Sequence, residues 1–139
     1  MKKKLDKNKG ILFWITGLRG PDKLKIVKQI KKKIINNHGP TILINEDDMR
    51  NIFELRKYSQ KERLNNQIKF SDFCMFLTNQ KINVIFSVVD LFDKITNKNK
   101  INIKPEFFKK PNILVINFFK KNVKELVEDI FNKIPKKYI

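Results

Sequence analysis

The residues with the clearest chemical content stand together in "GLRGPDKLK", Gly17–Lys25, directly after the apolar run "ILFWIT". An apolar run that breaks into a glycine-containing turn and then a lysine offers consecutive backbone N–H groups to phosphate oxygens, with the lysine reaching the outer ones. Gly17, Leu18, Arg19, Gly20, Lys23 and Lys25 are therefore the candidate phosphate-binding residues. Three of their neighbours work against that chemistry. Pro21 has no N–H to donate. Asp22 puts a carboxylate and a side chain where an anionic ligand needs close backbone approach. Leu24 stands where a Ser or Thr hydroxyl would hold Mg2+.

A loop of this kind needs a buried strand before it and a helix after it. "ILFWIT", Ile11–Thr16, is continuously apolar, as a strand covered on both faces of a parallel sheet must be. Leu24, Val27, Ile30 and Ile34 recur at helical spacing until Gly39 and Pro40 break the pattern. "TILIN" then reads as a second strand, "INVIFSVV" as a third and "NILVIN" as a fourth. Between them, Met49–Leu55 gives a short helical turn, and the capping box "SQKE" at Ser59 opens a helix running to about Gln80. "DKITNKNK" reads as a surface loop, and Val123, Leu126, Val127, Ile130 and Phe131 form the apolar face of a last helix. The alternation predicts one α/β domain over residues 1–139, mainly parallel with right-handed crossovers, preceded by a flexible basic start over residues 1–9.

Ligands in such sheets sit at the carboxyl ends of the strands. That draws attention to Asn45–Arg50, with its "EDD" cluster, and to Ser87–Leu91.

The spaced set resembles the adenylyl-sulfate (APS) kinase family, which moves the ATP γ-phosphate to the 3′-hydroxyl of adenylyl sulfate. The family opens with G-x-x-x-W-x-T-G-L-S-G-A-G-K-S-T, and Gly10, Trp14, Thr16, Gly17, Leu18, Gly20 and Lys23 fall on it without a gap. Its D-G-D-N-V-R is echoed by "NEDDMR", where Asp47 and Arg50 match while Asn45 and Glu46 depart. Its F-S-x-x-D-R-x-x-N-I-R-R is echoed by "YSQKERLNNQIK", with Tyr58, Ser59, Arg63 and Asn66 kept or conservative, and Ile68 and Lys69 in place of two arginines. The family's R-D-x-K-G-L-Y motif and its lid have no counterpart. The resemblance implies a P-loop kinase-like, three-layer α/β/α fold with ATP and Mg2+ as cofactors. It further implies Asp47 and Lys23 as catalytic residues, Arg50, Arg63, Asn66 and Ser87 on the substrate side, and Asp47 with Asp90 as carboxylates for a metal. Taken singly, Asp47 also fits an acidic helix start and Arg63 a solvated helix face.

The 31 Lys and Arg against 14 Asp and Glu leave a formal charge of +17, which attracts polyanions. The lysines are scattered over nearly every segment, so a solvated basic surface is expected in preference to a nucleic-acid face. A basic RNA-associated protein is the third and weakest reading. The single cysteine, Cys74, makes no intramolecular disulfide and reads as core, which points to a reducing cytoplasm. The single histidine, His38, rules out a histidine-rich metal site. Trp14, Phe73, Phe76 and Phe86 are expected in the core, whereas the pairs Phe107–Phe108 and Phe118–Phe119 are harder to bury. No apolar stretch approaches the roughly 20 residues that span a bilayer.

The expectation is a divergent APS kinase-like protein that binds a nucleotide (ATP or adenylyl sulfate) or a protein partner and has lost efficient phosphoryl transfer. The alternative is a working kinase on adenylyl sulfate or another small nucleotide with a remodelled loop.

Overall fold

The computed structural model describes residues 5–16, 23–57, 59–87, 91–93, 98–100 and 109–117, with residues 124, 125, 128 and 132. In chain order the elements are β1 (Leu12–Thr16), α1 (Lys23–His38), β2 (Thr41–Asn45), α2 (Glu46–Ile52), α3 (Gln60–Thr78), β3 (Asn83–Ser87), β4 (Leu91–Asp93), β5 (Lys98–Lys100) and β6 (Ile113–Asn117).

Four strands form one sheet in the order β2-β3-β1-β6, and every pairing is parallel. Side chains alternate across it. Phe13, Ile15, Ile85, Leu114 and Ile116 pack on one face with Val27, Ile30 and Ile34 of α1. Leu12, Trp14, Val84, Phe86 and Ile113 pack on the other with Met49 of α2 and Phe70 and Cys74 of α3. Burial on both faces is why these strands read as unbroken apolar runs. Trp14 and Phe86 stack with ring centroids 4.9 Å apart, and Phe70 lies 5.8 Å from Phe86.

Two asparagines set the amino ends of the strands. Asn83 Oδ1 accepts from the Ile11 amide at 2.9 Å, while its Nδ2 donates to the His38 carbonyl. Asn112 Oδ1 accepts from the Asp6 amide at 2.7 Å, and its Nδ2 donates to the carbonyls of Asp6, Lys9 and Gly10. Residues 5–9, placed in the expected flexible start, are held down by these bonds and by the burial of Leu5. Gly10 is required by close approach, because a Cβ there would collide with the backbone carbonyl of Ile82.

Three expectations need correction. α2 starts at Glu46, not Met49, because Asn45 caps it, its Oδ1 accepting from the Asp48 amide at 2.7 Å. Within "DKITNKNK", Asp93 and Lys98–Lys100 belong to the antiparallel β4–β5 ladder, which pairs Leu91 with Lys100 and Asp93 with Lys98. Phe76 is 59% exposed, because α3 presents it away from the sheet. The helix opened by Ser59 is as expected, with Ser59 Oγ accepting from the Glu62 amide at 3.2 Å. Of the last helix, Lys124, Glu125, Glu128 and Asn132 are helical and exposed. Its apolar residues and both phenylalanine pairs lie outside the described residues.

Candidate functional site

The chain leaves β1 toward β2 at one edge of the sheet, and leaves β3 toward β6 on the opposite side of β1. Adjacent strands with divergent continuations open a crevice at their carboxyl ends, and this is where a ligand fits an open α/β sheet. The register brings Asn45, Ser87, Thr16 and Asn117 to that edge, with Asn45 paired to Ser87, Ser87 to Ile15, and Thr16 to Asn117.

Thr16 ends β1 and Lys23 begins α1, which fixes where the candidate phosphate loop departs and returns. Gly17, Leu18, Arg19 and Gly20 lie outside the described residues, as does Asp90. Lys25 is exposed on α1, whose first turn carries no acidic residue. Ser87 is 1% exposed, and its Oγ has no hydrogen-bond partner among the described residues. A buried hydroxyl left unsatisfied is costly, so its place at the strand end is a departure that function can explain.

Beside the edge, α2 separates its polar residues by solvation. Asp47 and Asp48 are exposed, whereas Glu46 and Arg50 are buried. The Arg50 guanidinium lies 3.7 Å from the Glu46 carboxylate and donates to the Lys57 carbonyl at 3.2 Å. Arg50 is thereby turned toward the α2–α3 connection. Glu46, the residue that departs from the family's glycine, is the one that engages it.

Asn66 is brought into a polar hollow of about 270 Å3 together with Glu54, Leu55, Arg56, Lys57, Glu62 and Lys69. Arg56 and Lys57 were missed from sequence because they sit in the α2–α3 connection, outside any motif. Lys69 was visible only as a departure from arginine. Arg63, one turn before Asn66 on α3, is half-buried. Among the described residues no group of three or more His, Cys, Asp or Glu could hold a metal ion, so Asp47 stands as a single carboxylate at this edge. His38 closes α1, and burial lowers its pKa from the ordinary value.

Solved structures sharing this arrangement include APE1195, with a TM-score of 0.63 at 21% identity over 91% of this chain and 68% of that one. The APS kinase CysC of Mycobacterium tuberculosis, in a mutant form, gives a TM-score of 0.58 at 14% identity over 89% of this chain and 96% of that one. The chain has a P-loop kinase-like fold. A hexameric APS kinase from Thiobacillus denitrificans shares that P-loop kinase-like fold with a TM-score of 0.63 at 13% identity, over 91% of this chain and 29% of that one. Among curated proteins, the chain is 28% identical over 98 residues to a cytidine diphosphoramidate kinase of Campylobacter jejuni. The match covers 70% of this chain and spans 58% of that relative's length. No family model matches the chain. Among the described residues of this P-loop kinase-like chain, no helix is long and apolar enough to cross a membrane.

Proposed function

We propose that this P-loop kinase-like chain is a cytoplasmic nucleotide-binding protein, or a partner-binding one, that has lost efficient phosphoryl transfer. The observation that carries this reading is the composition of the loop between Thr16 and Lys23. Catalysis of phosphoryl transfer rests on donors fixed in place around charge that develops during the reaction. Pro21 removes one backbone donor, Asp22 adds a like charge, and Leu24 removes a metal-binding hydroxyl. Loss of one such preorganised donor costs about 2.7–4 kcal/mol in other enzymes. Even with strong non-additivity, three faults on one ligand lower the rate by orders of magnitude, at about tenfold for each 1.4 kcal/mol.

Lys23, Lys25 and the open amino end of α1 still favour an anion, which supports binding without efficient transfer. Mg2+, when bound with a nucleotide, neutralises and orients its phosphates and needs only one or two protein carboxylates. Asp47 is of the right type and exposed at the right edge of the sheet.

The second reading is a working kinase acting on a small nucleotide. It is favoured by the polar hollow around Asn66 and by the curated relative, which is named for a cytidine nucleotide with a diphosphoramidate group. In that reading Asp47 takes the acceptor proton, and Arg63 and Asn66 position the acceptor.

The deciding experiment is direct product detection with Mg·ATP and either adenylyl sulfate or cytidine diphosphoramidate, with Lys23→Ala alongside and calorimetric binding on the same preparation. Saturable nucleotide binding without multiple-turnover product supports the first reading. Product that depends on Lys23 overturns it in favour of the second.

A further inference from the structure

Away from the carboxyl edge, the outer strand β2 borders an apolar groove of about 460 Å3. Ile42, Ile52, Phe53, Phe73 and Leu77 line it, with Asp48 as the one charged lining residue. Ile42 is 37% exposed, Ile52 69% and Phe53 52%. Phe53 meets Phe73 edge-on at 6.2 Å, and Phe76, three residues on from Phe73 along α3, continues the apolar surface. We infer that this face docks a second copy of the chain, with β2 pairing along its open edge and the two grooves closing on each other.

Two observations single out this occupant. An outer strand presents unpaired N–H and C=O groups, and proteins ordinarily protect such edges with lysine or proline. β2 reads "TILIN" with neither, in a chain where 31 of 139 residues are Lys or Arg. None of the ten residues lining the groove is basic. Charge decides between partners. A different protein recruited to a surface of net charge +17 gains from acidic groups set against lysines, so it would favour the basic surface. Two copies of this chain repel over that same surface and can approach only where positive charge is missing. A two-fold contact also sets each residue against the same patch of its twin, so any charge in it faces its own kind. An uncharged strand with an apolar flank meets both conditions, and main-chain pairing along an edge with side chains seated beside it is an established mode of recognition.

The test is sedimentation of the full chain over a concentration series at about 0.05 and 0.5 M salt. A dimer is expected, and it tightens as salt screens the +17 repulsion. Ile42→Lys and, separately, Phe53→Lys weaken it by at least about tenfold while the circular dichroism spectrum is unchanged. Ile35→Lys, on exposed α1 surface outside the groove, leaves it intact. A chain that stays monomeric throughout, a dimer that dissociates with added salt, or one that survives both groove substitutions overturns the inference. If one groove variant unfolds, the other decides.

Discussion

The Arg50 guanidinium lies 3.7 Å from the Glu46 carboxylate one turn earlier on α2, and both side chains are almost wholly buried. Desolvated charges of this kind depend on each other, because removing one leaves the other buried without compensation. Arg50→Ala is therefore expected to lower unfolding stability by about 3 kcal/mol in urea titrations. Replacing both partners with apolar residues of similar size restores most of it. An Arg50 that served a ligand alone would leave stability unchanged and lower only nucleotide affinity.

The sheet was legible in the sequence because parallel strands buried on both faces must be apolar without interruption, as "ILFWIT" and "NILVIN" are. α3 was legible from Ser59 and Glu62, a local signal. What could not be read depends on distant neighbours. Asn112 bonds to Asp6, 106 residues away, and nothing in its local sequence distinguishes it from the many asparagines of a polar chain. α3 hides from sequence which phenylalanines face the sheet, since its apolar residues occupy more than one stripe: Phe70 is buried while Phe76 is exposed. The site divides the same way. Asp47, Asn66 and Ser87 were found from motif spacing, whereas Arg56 and Lys57 reach the hollow only because the α2–α3 connection folds over it.

That connection contains a strained residue. Glu54 has φ 54°, in the left-handed region, and the following Leu55 amide donates back to the Arg50 carbonyl at 2.9 Å. This is the helix stop in which glycine is normally found. Glu54→Gly removes the Cβ penalty at some cost in unfolded-chain entropy, so a net gain of about 0.5–1 kcal/mol is expected. It should appear as a higher urea midpoint with an unchanged slope. A lower midpoint would show that the Glu54 side chain itself stabilises the hollow.

Cys74 is fully buried, and desolvation pushes its thiol from the ordinary 9.0 up to about 12. The native protein should leave this thiol unreactive toward disulfide reagents at pH 8, with stoichiometric reaction on unfolding in urea. Linkage gives the sign of the pH effect. Between pH 9 and 12 the native state keeps a proton that the unfolded state has released, so stability falls as pH rises through that window, by up to about 1.4 kcal/mol per unit. Below the unfolded pKa the contribution is fully present. Comparison with Cys74→Ala subtracts the lysine titrations that share the window, and identical slopes in the two proteins would count against a protonated native thiol.

The loop argument is tested by repair. If Asp22 and Leu24 limit phosphate binding, Asp22→Gly with Leu24→Ser returns a small residue before Lys23 and a hydroxyl after it, the arrangement in which backbone amides and a metal ion share the phosphates. Removing the carboxylate relieves like-charge repulsion and the hydroxyl adds a magnesium ligand. Mg·ATP affinity is expected to rise at least about tenfold, or 1.4 kcal/mol. The two changes separate by their metal dependence: Asp22→Gly should strengthen ATP binding with or without Mg2+, while Leu24→Ser should act only when Mg2+ is present. Lys23→Ala in the repaired background should abolish the gain, since the lysine is the fixed charge around which the rest of the loop is arranged. An unchanged affinity in the double variant would place the limit at Pro21 or elsewhere in the crevice, and would remove the physical basis for reading the loop as the cause of lost transfer.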